Sequence, residues 1–199
     1  MADFLMAKVC VYCSSSDAIE TKYIELAAEL GLALVANGHS LVTGGGAVSM
    51  MGSIARSVRS AGGHTLGVIP EALLAFEVGD RDADELMITK DMRTRKAAMD
   101  DASDAFIALP GGIGTLEELL EVWTSASLAM HAKPVIVLDP WGDFHPLKNL
   151  VDDLLHKGFV RPTAARVVQW CSTVDEAVAA LLAPPVQVLP LEHNERRDI

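Results

Sequence analysis

The sequence predicts a doubly wound, Rossmann-like α/β fold built on a parallel sheet in a single domain, and three observations carry that expectation. Short apolar runs alternate with stretches of helical periodicity, which is the pattern of strand-helix-strand crossovers. Several of the runs, such as Ala105-Phe106-Ile107-Ala108-Leu109, are continuously apolar, as strands covered on both faces must be. The chain has 199 residues, half of them apolar, which suits one well-packed core and leaves little room for a second.

In chain order, strands are expected over Lys8–Tyr12, Ser40–Thr43, His64–Ile69, Ala105–Leu109 and Pro134–Leu138. Between the first two, Ile24, Leu26, Ala27, Leu30, Leu34 and Val35 form an apolar stripe, so a helix is expected over Ile19–Asn37 with Gly38 as its C-terminal cap. A second helix should cover Met51–Ser60 and stop at Ala61-Gly62-Gly63. A third should begin near Thr115 and carry Leu116, Leu119, Leu120, Val122 and Trp123. The acidic, weakly periodic segment Glu71–Asp91 reads as a mobile or partner-contacting loop with a short helix. The domain is expected to span residues 1–183, followed by a poorly ordered tail over 184–199, with its prolines and final charged run.

Composition excludes several function classes. A formal net charge of −11 disfavours a nucleic-acid-coating surface, which needs clustered Lys and Arg, and points to a small metabolite as partner. The N-terminus has no basic n-region or long apolar run, and no stretch approaches the ~18 apolar residues of a membrane span, so a cytoplasmic location is expected. Three cysteines argue against a disulfide framework. Cys10-x-x-Cys13 has the spacing of a redox or zinc motif, but it sits in a strand-like run that turns the two residues to opposite faces. The six histidines have no ligand-like spacing, so no metal is expected.

Chemistry concentrates in two glycine-rich strand-to-helix turns. Leu109-Pro110-Gly111-Gly112-Ile113-Gly114-Thr115 joins a buried strand to a helix, and such a turn can cradle a phosphate. Glycines let the backbone approach an anion, the first-turn N–H groups point at it, and the helix dipole adds a favourable field. Thr115 can add a hydroxyl donor. The second turn is Thr43-Gly44-Gly45-Gly46, followed by Ala47 to Gly52. It lacks the Lys-Ser/Thr pair of a P-loop and the glycine order and distal acid of a dinucleotide site, which disfavours ATP and NAD as cofactors. For either turn the competing reading is a tight bend without a ligand.

Three candidate groups surround these turns. The cations of Met92-Arg93-Thr94-Arg95-Lys96 either clamp an anion bidentately or form a solvated helix face. Glu117 and Glu118 fall in the first turn of the phosphate-holding helix, where they either serve its dipole or face the ligand. Breaking a C1′–N bond develops oxocarbenium character, which a carboxylate beside the ribose would stabilise while orienting water. Ser14-Ser15-Ser16, following the first strand, either cap a helix or hydrogen-bond the ligand.

At these residues the chain resembles the LOG (Lonely Guy) family of cytokinin riboside 5′-monophosphate phosphoribohydrolases, long mislabelled as lysine decarboxylases. The resemblance spans roughly Val9 to Val160. It rests on Pro110-Gly111-Gly112-x-Gly114-Thr115-x-x-Glu118, on Gly44-Gly45-Gly46 with Met51-Gly52, on Arg95-Lys96, and on Ser103 to Leu109. It implies hydrolysis of an N6-modified adenosine 5′-monophosphate to free base and ribose 5-phosphate, without a cofactor, by a homodimer at minimum. Arg95 and Glu118 would be the catalytic pair. Ser15, Gly45, Gly46, Met92 and Lys96 would bind substrate, as would Gly111, Gly112, Gly114, Thr115 and Glu117.

The chain departs from the family pattern at Arg93, where histidine is usual, at Ser49, where glycine is usual, and over Ser125–Ala129. The change over Ser125–Ala129 bears on base preference and assembly, whereas those at Arg93 and Ser49 are the support for a second reading. A nucleotide-binding carrier without turnover is the alternative, and the old decarboxylase label would need a pyridoxal-binding lysine in a context that neither Lys96 nor Lys133 offers.

Overall fold

The computed structural model describes residues 6–74, 79–184, 186 and 188. Its elements are β1 (Lys8–Tyr12), α1 (Thr21–Ala36), β2 (Ser40–Thr43), α2 (Ser49–Ser60), β3 (Thr65–Pro70), β4 (Glu85–Thr89), α3 (Met92–Asp101), β5 (Ala105–Ala108), α4 (Ile113–Ser127), β6 (Val135–Leu138), α5 (His145–His156), α6 (Pro162–Ala165), β7 (Val168–Cys171) and α7 (Val174–Leu181). The seven strands form one sheet in the order β4-β3-β2-β1-β5-β6-β7, and every pairing is parallel.

That order explains the continuous apolar strands. Along β1, Val9 and Val11 enter one core cluster together with Leu30 and Leu34 of α1 and Ile54 of α2. Cys10 and Tyr12 enter the other, with Phe106, Met99 of α3 and Leu119, Val122 and Trp123 of α4. Helices therefore cover both faces, and burial on each supplies the main driving force at roughly 25 cal/mol per Å² of apolar surface. Cys10 and Cys13 lie in opposite clusters as free thiols, as their strand context predicts.

The five expected strands are present, with ends shifted by one residue at most. Two edge strands were not expected. The segment Glu71–Asp91 carries β4, although only Thr89 of that strand is buried, and a single 3₁₀ turn at Glu71–Leu73. An edge strand with one unpaired side tolerates the acidic residues and mixed exposure that disguised it. β7, at the other edge, is also short, with its two ends buried and its two middle residues partly so. The first helix ends as expected, with Gly38 in the left-handed region at φ 78°. The expected tail over 184–199 lies outside the described residues except at 184, 186 and 188.

The sheet order reverses between β1 and β5, so the loops leaving these two neighbours run to opposite faces. In an open parallel sheet such a switch point leaves a crevice beyond the carboxyl ends of the strands, where ligands bind.

Candidate active site

A cleft of about 320 Å³ occupies the switch point. One wall is Cys13 to Ser16 after β1, the other Gly112, Gly114 and Thr115 after β5, and Met92, Arg95 and Glu118 close it. The size suits a small ligand.

The β5–α4 turn is built open. A Cβ at Gly112 or Gly114 would meet nothing within 4 Å. Gly111 differs, because a Cβ there would lie 2.2 Å from Thr115 Oγ1, so this glycine lets the buried threonine fold back over the turn. No side chain caps the start of α4. The uncapped first turn, with Gly112, Gly114 and Thr115, thus borders the cleft, and the positive end of a 15-residue helix lies there.

Arg95 enters from α3. Asp91 starts that helix by accepting hydrogen bonds from the Thr94 N–H and hydroxyl, both at 2.8 Å, and the helical spacing turns Arg95 and Met99 inward. The Arg95 side chain is almost wholly buried. Its Nε donates to the Val68 carbonyl at 3.1 Å and its Nη2 to the Gly44 carbonyl at 3.2 Å. The third nitrogen, Nη1, lies 3.8 Å from Glu118 Oε1. Two backbone carbonyls therefore fix the guanidinium and leave one edge for the carboxylate.

On α4, Leu119, Val122, Trp123 and Ala126 form the buried stripe, and Glu118 sits beside it with its side chain 13% exposed. Glu117 points away and pairs with Lys96, whose ammonium also reaches Glu121 at 2.7 Å. Those two carboxylates hold the Lys96 ammonium above the usual lysine range. A second space of about 430 Å³ lies between α3 and α4, bounded by Tyr12, Arg93, Lys96, Glu121 and Ser125, and Glu118 borders both this groove and the cleft. Burial, with the Glu118 charge in support, pushes the thiols of Cys10, to about 12, and Cys13 upward, and burial does the same to the Tyr12 hydroxyl. None of the three is poised as a nucleophile.

The structure brings Ser15, Met92, Arg95, Gly112, Gly114, Thr115 and Glu118 together around the cleft, and Gly111 shapes its turn. Gly45, Gly46, Lys96 and Glu117 stand elsewhere. Gly45, at φ 77°, presses on β3, where a Cβ would lie 3.1 Å from the Ile69 Cβ. The N–H of Gly46 donates to Met51 Sδ at 3.0 Å, and this residue bridges Gly79. Lys96 is paired with Glu117 and Glu121 and does not line the cleft. Met51, marked only as part of the family pattern, also lines the cleft, and the sequence did not mark Leu73, which lines it too, or Val68, which holds Arg95 through its carbonyl. A backbone acceptor leaves no trace in residue identity.

Among the described residues no group of His, Cys, Asp or Glu could hold a metal ion, and no helix is long and apolar enough to cross a membrane.

Comparisons with known proteins give the family and the fold. A family model described as possible lysine decarboxylase matches residues 51–181. A cytokinin riboside 5′-monophosphate phosphoribohydrolase of Mycobacterium tuberculosis is 47% identical over 172 residues, covering 86% of this chain and 91% of that protein. LOG1 of Arabidopsis thaliana, which carries the same activity name, is 42% identical over 174 residues, covering 87% of this chain and 82% of its own length. The solved structure of the molybdenum cofactor carrier protein of Chlamydomonas reinhardtii aligns with a TM-score of 0.66 over 88% of this chain and 96% of that one. At 21% identity that likeness speaks for the fold alone. By the family model and by these sequence relatives, the chain belongs to the LOG family of phosphoribohydrolases, whose model bears the lysine decarboxylase description.

Proposed function

We propose that the protein is a hydrolase that cleaves the N-glycosidic bond of an adenosine 5′-monophosphate, N6-modified in the manner of a cytokinin nucleotide, to free base and ribose 5-phosphate. The supporting observation is the placement of the Arg95–Glu118 pair on the wall of a cleft whose other side is the uncapped start of α4. The names carried by relatives such as the Mycobacterium tuberculosis protein supply the substrate class.

In this reading the phosphate rests on the N–H groups of Gly112 to Thr115, which places the ribose beside Glu118. The C1′–N bond breaks with its electron pair leaving on the purine, which takes up a proton from solvent, to which Glu118 later returns the one it accepts. Water adds to C1′ and loses its proton to the Glu118 carboxylate, whose charge also stabilises the oxocarbenium-like transition state. Arg95 keeps that carboxylate against α3 and faces the sugar. The α3–α4 groove, sharing Glu118 with the cleft, receives the base. The protein is further proposed to act in the cytosol as a homodimer, without nucleic acid as partner.

Decarboxylation through a lysine Schiff base lacks support from the lysines themselves. A Schiff-base lysine must lose its proton. Lys96 is held protonated by two carboxylates, and the Lys133 ammonium donates to the Asp100 carbonyl and carboxylate at 2.7 and 2.6 Å. Chromatography after incubation with AMP, isopentenyladenosine 5′-monophosphate and the two ribosides tests the hydrolase reading. Free base should appear from the monophosphates and not from the ribosides. Folded protein that binds the monophosphates and releases no base would be a carrier.

A further inference from the structure

We propose that Ser49 is a positioning residue for the phosphate anchor, acting through the serine wall of the cleft. The assignment rests on the nucleotide-cleft reading above. Ser49 opens α2 with φ 51°, one of two non-glycine residues in the left-handed region among the described residues. A side chain there is strained, and such residues persist only where the surroundings hold them. Glycine would remove the strain, and glycine is usual at this position in the family pattern the sequence resembles.

The serine hydroxyl supplies what glycine cannot. Ser49 is buried, and its Oγ donates to the Ser16 carbonyl at 2.6 Å. The Ser16 N–H in turn donates to Ser14 Oγ at 3.1 Å. The loop after β1 is thereby tied to the start of α2, across a separation of 33 residues. Ser14, Ser15 and Ser16 line the cleft opposite Gly112, Gly114 and Thr115. An anion resting on the start of α4 can be gripped from the far side only if this wall stands at the right distance. Ser49 sets that distance without touching the ligand, so its effect falls on binding of the phosphate and not on bond cleavage.

Two variants separate this role from a structural one. Ser49→Gly removes both tie and strain, whereas Ser49→Ala removes the tie and keeps the strain. Each is compared with the unaltered protein by titration calorimetry with ribose 5-phosphate, by thermal unfolding, and by KM and kcat for AMP. Affinity for ribose 5-phosphate should fall about fivefold in both, as the loss of one buried hydrogen bond to the wall implies. KM for AMP should rise in parallel, with kcat within about twofold. Tm should hold or rise in Ser49→Gly and fall in Ser49→Ala, so that affinity and stability part company. Unchanged affinity in Ser49→Gly overturns the proposal, as does a loss of kcat at constant KM. Unaltered protein that binds ribose 5-phosphate yet releases no base refutes the hydrolase reading while the affinity comparison still decides the role of Ser49. Unaltered protein with no affinity for ribose 5-phosphate overturns the anchor and this assignment together.

Discussion

Gly44–Gly46 and Gly111–Gly114 look alike in the sequence: each follows a buried strand, and each precedes a helix. In the structure they do opposite things. A Cβ at Gly44 would lie 1.8 Å from Arg95 Nη2, so this glycine makes room for the protein's own cation. The N–H groups of Gly45 and Gly46 already donate to Thr43 Oγ1 at 3.2 Å and Met51 Sδ at 3.0 Å. Gly112 and Gly114 face open space, and the helix behind them has no side-chain cap. One turn is a collar around Arg95, and the other, left open, is the cradle for a ligand in the proposed reading. Glycine content marks close approach, and only the surroundings tell whether protein or ligand approaches.

The largest effect tests whether collar and cradle serve one reaction. Glu118→Gln keeps the shape of the group that meets Arg95 and removes its charge. Base release from AMP should fall by about 10²–10⁴-fold, the usual share of a general base, while affinity for ribose 5-phosphate survives. Retained hydrolysis would dismiss Glu118 and with it the point on which the two turns converge.

Alanine at each turn should separate them. Gly44→Ala drives a methyl into the guanidinium and should lower stability by about 1–3 kcal/mol, as overpacking does, with activity falling alongside. Gly112→Ala meets no protein atom and adopts an ordinary φ of −84°, so stability should stay within about 0.5 kcal/mol. Its methyl stands where the anion must approach, and ribose 5-phosphate affinity should fall about tenfold. Calorimetry and thermal unfolding read both variants. A reversed pattern, with a destabilised Gly112→Ala and a stable Gly44→Ala of weakened affinity, would exchange the two roles.

This contrast also shows what the sequence could carry. The central strands and the open β5–α4 turn were legible because both are local: apolar runs bury both faces, and the proline, glycines and threonine of residues 110–115 specify their own turn. The collar was not legible as such, because its meaning depends on Arg95, which is 51 residues away and reaches the Gly44 carbonyl only in the folded chain. Lys96 illustrates the same limit. Beside Arg95 in sequence it looked like a phosphate clamp, yet the helix turns it to Glu117 and Glu121 of α4. β4 was obscured for a different reason, since an edge strand with one buried residue loses the alternation or continuity by which inner strands are recognised.

The smallest effect concerns pH and belongs to the two elements that carry the turns. At the foot of β2, which leads to the collar, His39 Nδ1 accepts the Ala7 N–H at 3.3 Å. Beside α4, which follows the cradle, His131 takes the Lys133 N–H on Nδ1 at 3.2 Å, so its Nε2 carries the proton shared with the Val122 carbonyl at 3.1 Å. Burial lowers the pKa of both below the usual histidine value. Both are therefore held neutral, and their contribution to stability is complete above the unfolded value near ~6.5. It is lost as pH falls through the depressed folded values, because the unfolded chain then binds the protons more readily. Tm should be level from about pH 8 to pH 7 and decline below about 6.5. In His39→Asn an amide oxygen can accept from Ala7 without titrating, so the decline should be shallower. A decline as steep as that of the unaltered protein would remove His39 from the account and leave the acid sensitivity to the α4 side of the molecule.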